Sequence, residues 1–175
     1  MKKTLLLLTL FALPFLLSAQ YFRSKPLYAG YWGGKTTVKI STVDSTYSLE
    51  IKALSKRLKG TRLRMKPVKI NNDSYKIVRT ADVIHIKDEA NETLLMTSNR
   101  QMQVAMSDGK TFRKNRFHRR NFTYLNENGE VVIEARLRDK LFNHVIEISM
   151  HEDEPLLLAL CLEMLTRLAR EQVWL

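Results

Sequence analysis

The chain has 175 residues, 45% of them hydrophobic, and its 29 Lys and Arg against 18 Asp and Glu give a formal net charge of +11. That is one domain's worth of chain, apolar enough to bury a core without staples, and its single cysteine excludes an intrachain disulfide. No apolar tract reaches the ~20 residues of a spanning helix.

Residues 1–19 read as an export signal and are set aside from the fold. Lys2 and Lys3 form a positive start, Leu5 to Leu17 an apolar stretch interrupted by Thr9 and Pro14, and Ser18-Ala19 a small-residue site. The ending Leu17-Ser18-Ala19-Gln20 resembles the export signals of Gram-negative bacteria. Cleavage is expected after Ala19, and no cysteine follows it to carry a lipid anchor. The product would be periplasmic or extracellular, with 27 basic residues facing 18 acidic ones, about +9. A basic exported protein meets anionic lipid, lipopolysaccharide or acidic glycan more often than nucleic acid, so peripheral association with such a surface is expected and nucleic acid is not.

Residues 20–34, rich in Tyr, Trp and Gly, read as a leader that packs loosely or adds one edge strand. From Lys35 the dominant signal is apolar alternation with a period of two, broken by turns. Thr36, Val38 and Ile40 alternate with lysines and threonines, and after a turn near Val43-Asp44-Ser45 come Tyr47, Leu49, Ile51 and Ala53. Leu63 and Met65 alternate with Arg62, Arg64 and Lys66 up to Pro67, beyond which Val68 and Ile70 take the opposite parity. That switch predicts a bulge or edge position at Pro67, because proline cannot donate to a ladder.

Asn71-Asn72-Asp73-Ser74 is turn chemistry. Strands then follow near 75–79, 83–87 and 93–97. Ser107-Asp108-Gly109 and Asn126-Glu127-Asn128-Gly129 are the two clearest hairpin turns, each with glycine where positive φ is needed. Val131, Ile133, Ala135 and Leu137 share one strand face, and Phe142, His144, Ile146, Ile148 and Met150 share the next.

Asp153-Glu154-Pro155 then opens a helix over about 154–171, with an acidic cap and proline where a missing N–H costs nothing. Leu156 to Leu162 run without a polar residue, and Met164, Leu165, Leu168 and Ala169 extend the apolar surface. A surface helix needs one apolar stripe, so a helix apolar around its circumference must be enclosed. An antiparallel sheet closed into a barrel has no free edges and an interior to fill. The prediction for residues 35–175 is one all-β domain with a C-terminal helix, an antiparallel closed barrel of about 11 to 12 strands around that central hydrophobic helix. Burying its side chains offers roughly 10 to 20 kcal/mol gross.

The hairpin ending in Asn128-Gly129, the strands Val131 to Leu137 and His144 to Met150, and the run Pro155-Leu156-Leu157-Leu158-Ala159-Leu160-Cys161-Leu162 resemble the tubby C-terminal-like superfamily. This superfamily includes the phospholipid scramblase and LURP-one-related groups. The resemblance covers about the last fifty residues and implies a twelve-stranded barrel around a hydrophobic helix, with anionic headgroups bound by basic residues on the exterior.

Two basic segments are candidate anion-binding residues. Lys56, Arg57, Lys59, Arg62, Arg64 and Lys66 form one, with Arg62, Arg64 and Lys66 expected on one outer face. Lys110, Arg113, Lys114, Arg116, Arg119 and Arg120 form the other, interleaved with Phe112, Phe117 and Phe122. His85, His118, His144 and His151 lack metal-ligand spacing, and His144, on an apolar strand face, reads as a hydrogen-bonded core residue. Cys161, flanked by leucines, reads as a buried structural thiol. No nucleophile or cofactor motif is visible, so the chain reads as non-enzymatic and cofactor-free. The three N-x-S/T matches fall at turns and read as chance.

The function expected is therefore an exported, non-enzymatic barrel that binds an anionic lipid, glycan or envelope partner through its basic exterior. A lipocalin-like carrier of a small apolar ligand, with the helix packed outside, is the alternative. An outer-membrane barrel is disfavoured by short strands and a helical end.

Overall fold

The computed structural model describes residues 20–25, 27–28, 37–42, 47–52, 56–80, 83–98, 102–118, 120–140 and 143–171. The expected signal segment, the expected turn at 43–45 and Phe142 lie outside these residues.

The first half of the sheet comprises β1 (Gln20–Ser24), β2 (Leu27–Tyr28), β3 (Thr37–Thr42), β4 (Ser48–Lys52), β5 (Lys56–Arg57), β6 (Arg64–Ile70) and β7 (Asp73–Arg79). The second half comprises β8 (Val83–Lys87), β9 (Thr93–Ser98), β10 (Gln103–Met106), β11 (Thr111–His118), β12 (Asn121–Leu125), β13 (Val131–Lys140) and β14 (Asn143–Met150). Helix α1 (Pro155–Glu171) follows.

Each of β3, β4 and β6 to β14 pairs antiparallel with the next, omitting β5, and β1 bridges β14 to β3. Those twelve strands close a barrel, while β5 pairs only with the start of β6 and β2 continues the line of β1 along β14. The leader therefore contributes the closing strand rather than an edge. Phe22 is fully buried there and meets Tyr47 edge-on, with ring centroids 5.3 Å apart.

Alternation sorts the side chains. Val38, Ile40, Leu49, Ile51, Val68, Ile70, Ile77, Ile84, Ile86 and Leu95 point inward, whereas Lys39, Ser41, Lys52, Lys69, Arg113 and Arg136 face water. A wall facing lipid would be apolar outside, so this barrel is built to be wet outside and dry inside.

Helix α1 fills the dry interior. Leu157 to Leu162 are fully buried, and the helix touches β4, β6, β9, β13 and β14 around the ring. The carrier arrangement, with the helix outside an open cavity, is thereby excluded, because leucines occupy the volume that a ligand would need. Glu154 is the helix N-cap: its carbonyl accepts from the Leu158 amide at 3.0 Å, and Pro155 takes the first helical position. Its carboxylate is bound by Lys110 from the β10–β11 turn, and Asn126 Nδ2 donates to Glu152 Oε1 at 2.8 Å. Two hairpin tips thus fix where the helix enters. Gly109 (φ 93°) and Gly129 (φ 82°) hold the two tips in the left-handed region anticipated for them.

Pro67 causes no bulge. The β6–β7 register runs unbroken from Arg64↔Arg79 to Ile70↔Asp73. On the other side, β4 pairs as far as Val68 and β5 begins at Met65, so Pro67 falls in the gap between them. The expected parity switch does not occur either: Lys66, Val68 and Ile70 share the inward row, and Met65 faces out.

Candidate functional site

Because neighbouring strands are antiparallel, successive connections alternate between the two ends of the barrel. Helix α1 enters at one end and runs toward the other, and the charges divide accordingly. Among the described residues of the entry-end connections are nine carboxylates: Asp88, Glu89 and Glu92; Asp108; Glu127 and Glu130; and Glu152, Asp153 and Glu154. The single Lys or Arg among them is Lys110, bound to Glu154 and 3.6 Å from Asp108. The opposite connections hold Lys25, Lys56, Arg57, Lys59, Arg62 and Arg120 and, among the described residues, no acid. Arg64, Arg79, Arg138 and, on the last helical turn before Glu171, Arg170 lie beside them; Asp139 on β13 pairs with Arg120, and Glu147 on β14 with Arg138.

The short β5–β6 hairpin carries the densest part of this basic end. Lys56, Arg57, Lys59, Arg62 and Arg64 are all exposed. Arg57 Nε donates to the Thr61 carbonyl at 3.2 Å, which holds the guanidinium across the loop. Leu63 N donates to the Thr61 hydroxyl at 3.2 Å. A hollow of 610 Å³ is lined by residues 57–62. The loop therefore presents several cations from one ordered frame.

Other sequence candidates lie elsewhere. Lys66 is only 5% exposed, and its Nζ bonds Glu163 Oε2 of α1 at 2.5 Å inside the barrel. Its expected place on the outer face beside Arg62 and Arg64 is corrected, since Val68 and Ile70 set the inward row and the helix supplies the counter-charge that makes a buried lysine tolerable. Arg64 belongs to the same row but reaches solvent at the rim. Burial is the leading influence on Lys66 and holds its ammonium below the ordinary lysine range. Glu163 acts in the opposite sense, and Arg79 and Arg170 add to the lowering.

Lys114 is also interior, 8% exposed, with its ammonium 4.1 Å from the centroid of the Phe122 ring and 4.0 Å from Met164 Sδ. Arg113, the adjacent residue, faces out on the flank rather than at the basic end. Arg116 lies in β11 opposite Phe122, with its side chain outside the described set, and Arg119 lies outside it entirely. Of the second segment only Arg120 is placed at the basic end, on the β11–β12 connection, well separated around the ring from the β5–β6 hairpin.

Arg120 forms an ion pair with Asp139, whose other oxygen lies 2.8 Å from His144 Nδ1. Burial, with a smaller contribution from Arg120, holds His144 below the usual imidazole range, and burial with Lys87 does the same to His85. The unfolded chain therefore takes up these protons first, near pH 6.5. Their contribution to stability is complete above that value and is lost as pH falls through the folded values. A His85→Gln, His144→Gln double variant is expected to flatten the acid limb of Tm against pH, as measured by thermal melts; an unchanged slope would refute the assignment.

Cys161 is fully buried, and that burial pushes its thiol well above the usual range, the form expected of an inert core residue. Among the described residues, no three His, Cys, Asp or Glu side chains gather to hold a metal ion, and no helix is long and apolar enough to cross a membrane. No family model, curated protein or solved structure matches the chain.

Proposed function

We propose that this protein is an exported, non-enzymatic barrel of tubby-like type that docks end-on upon an anionic phospholipid surface, basic end first. The observation that carries the reading is the separation of charge along the barrel axis. Cations scattered over a curved wall can meet a plane only a few at a time, whereas those around one end can meet it together. Each Lys or Arg brought to an anionic bilayer surface contributes about 1 kcal/mol, so the five exposed cations of residues 56–64 suffice for salt-sensitive binding. The acidic end, turned outward, is repelled by the same surface and so enforces the orientation. The tubby-like assignment is supported by the closed barrel around an apolar helix, which the resemblance in the last third of the chain anticipates.

Co-sedimentation of residues 20–175 with vesicles tests this. Binding is expected with phosphatidylglycerol in phosphatidylcholine, and not with phosphatidylcholine alone. An Arg57→Glu, Arg62→Glu, Arg64→Glu variant should lose at least tenfold in bound fraction, while the charge-matched flank variant Lys69→Glu, Lys76→Glu, Arg113→Glu loses far less. Equal losses would replace end-on docking with diffuse attraction. Capture by an acidic polysaccharide in preference to vesicles would move the reading from lipid to glycan.

A further inference from the structure

On the outer wall, away from the basic hairpin, β12, β13, β14 and β1 frame a hollow of 380 Å³, at the small end of ligand-site volumes. Its floor is Glu147, 8% exposed although it faces outward. Arg138 Nε approaches Glu147 at 2.5 Å, Arg23 Nε at 3.8 Å, and the Tyr21 hydroxyl bonds to it. The floor carboxylate is thus fully engaged, and the other lining groups are left to meet a ligand.

Strand register arranges those groups in two rows. Asn121 stands opposite Arg136, which stands opposite Glu147; one step along the same face, Thr123 stands opposite Glu134, which stands opposite Ser149. Neighbours across strands are about 5 Å apart and the rows about 7 Å, the scale of a single sugar ring. Arg136 makes no ion pair among the described residues. The Asn121 side-chain carbonyl oxygen is buried without a hydrogen-bond partner, an acceptor left waiting for a donor. Glu134 is about half exposed, and His151 Nε2 lies 3.8 Å from its carboxylate.

We propose that this hollow binds a hexuronate unit, a sugar ring bearing one carboxylate. A bare anion would suit Arg136 but would be repelled by Glu134 and by the orphan oxygen of Asn121. A cation would suit those acceptors and be repelled by Arg136. A ligand with one carboxylate and several hydroxyl donors satisfies both sets: the Arg136 fork takes the carboxylate, Asn121 and Glu134 accept from ring hydroxyls, and Thr123 and Ser149 serve as donors or acceptors.

Amide chemical-shift titration of the whole mature chain with sodium D-glucuronate, D-glucose and sodium acetate tests the site at millimolar concentrations. Glucuronate should give saturable shifts confined to β1 and β12 to β14, with glucose and acetate each about tenfold weaker. Arg136→Gln should weaken glucuronate about tenfold and leave glucose unchanged, whereas Asn121→Ala should weaken both. Acetate as effective as glucuronate, shifts concentrated at Arg57 to Arg64, or an Arg136→Gln variant with full affinity would each overturn the proposal. Vesicle docking by the basic end can fail or succeed without moving any of these readouts.

Discussion

Ending the chain at Glu154 is expected to leave no folded barrel. Leu157, Leu158, Leu160, Cys161, Leu162 and Leu165 are wholly buried, and they form the inner half of a core whose outer half is the inward row of the strands. Roughly 10 to 20 kcal/mol of gross apolar burial depends on the helix, against a net stability of about 5 to 15 kcal/mol for a typical domain. Water would enter the emptied ring, and the apolar rows of β4, β6, β9, β13 and β14 would be left facing it. The truncated chain should show a collapsed amide spectrum and no cooperative urea transition. A dispersed spectrum would mean that the strands close without the helix. Milder versions of the change should scale: Leu158→Ala or Leu160→Ala is expected to cost about 2 to 5 kcal/mol each in urea denaturation.

Breaking the interior ion pair from one side is expected to cost nearly as much as a large core truncation. Glu163→Ala leaves the Lys66 ammonium buried without its carboxylate, and the loss should be about 3 to 5 kcal/mol. Replacing both partners with apolar residues, Lys66→Met with Glu163→Leu, removes two desolvated charges together. That variant should lie within about 2 kcal/mol of the parent, or exceed it by about 1 to 4 kcal/mol. The asymmetry follows from burial outweighing Glu163 in its effect on Lys66: the pair offsets only part of its own desolvation. If the double variant were as unstable as the single one, the pair would be contributing net stability. The pair also ties one face of α1 to β6, a charged contact that a rotated helix would lose.

Much of the architecture could be read before any coordinates. Alternation marks the strands, Asn128-Gly129 and Asp108-Gly109 mark the two hairpin tips, and the unbroken apolar run at 156–162 demands enclosure, which a closed sheet provides. The candidate site was legible only in part. Lys66 and Lys114 read as outward-facing, because a charged residue in an alternating segment ordinarily faces water. The parity of Val68 and Ile70, counted back through Pro67, places Lys66 inside, and Phe112 does the same for Lys114. Glu163, an acid in the middle of the apolar helix, is the hint that the interior holds a partner. The outer hollow over β13 was not visible at all, because Asn121, Arg136 and Ser149 come together only through the register of three strands.

Most strands, their inner and outer faces, and the need for a filled interior follow from local patterning, because periodicity and burial are properties of short segments. The folded barrel sets which charges are buried, closes the ring with the leader between β3 and β14, and parts acids from bases along its axis. Those depend on which distant segments share an end, and in an antiparallel barrel every second connection does, however far apart the residues lie in the chain.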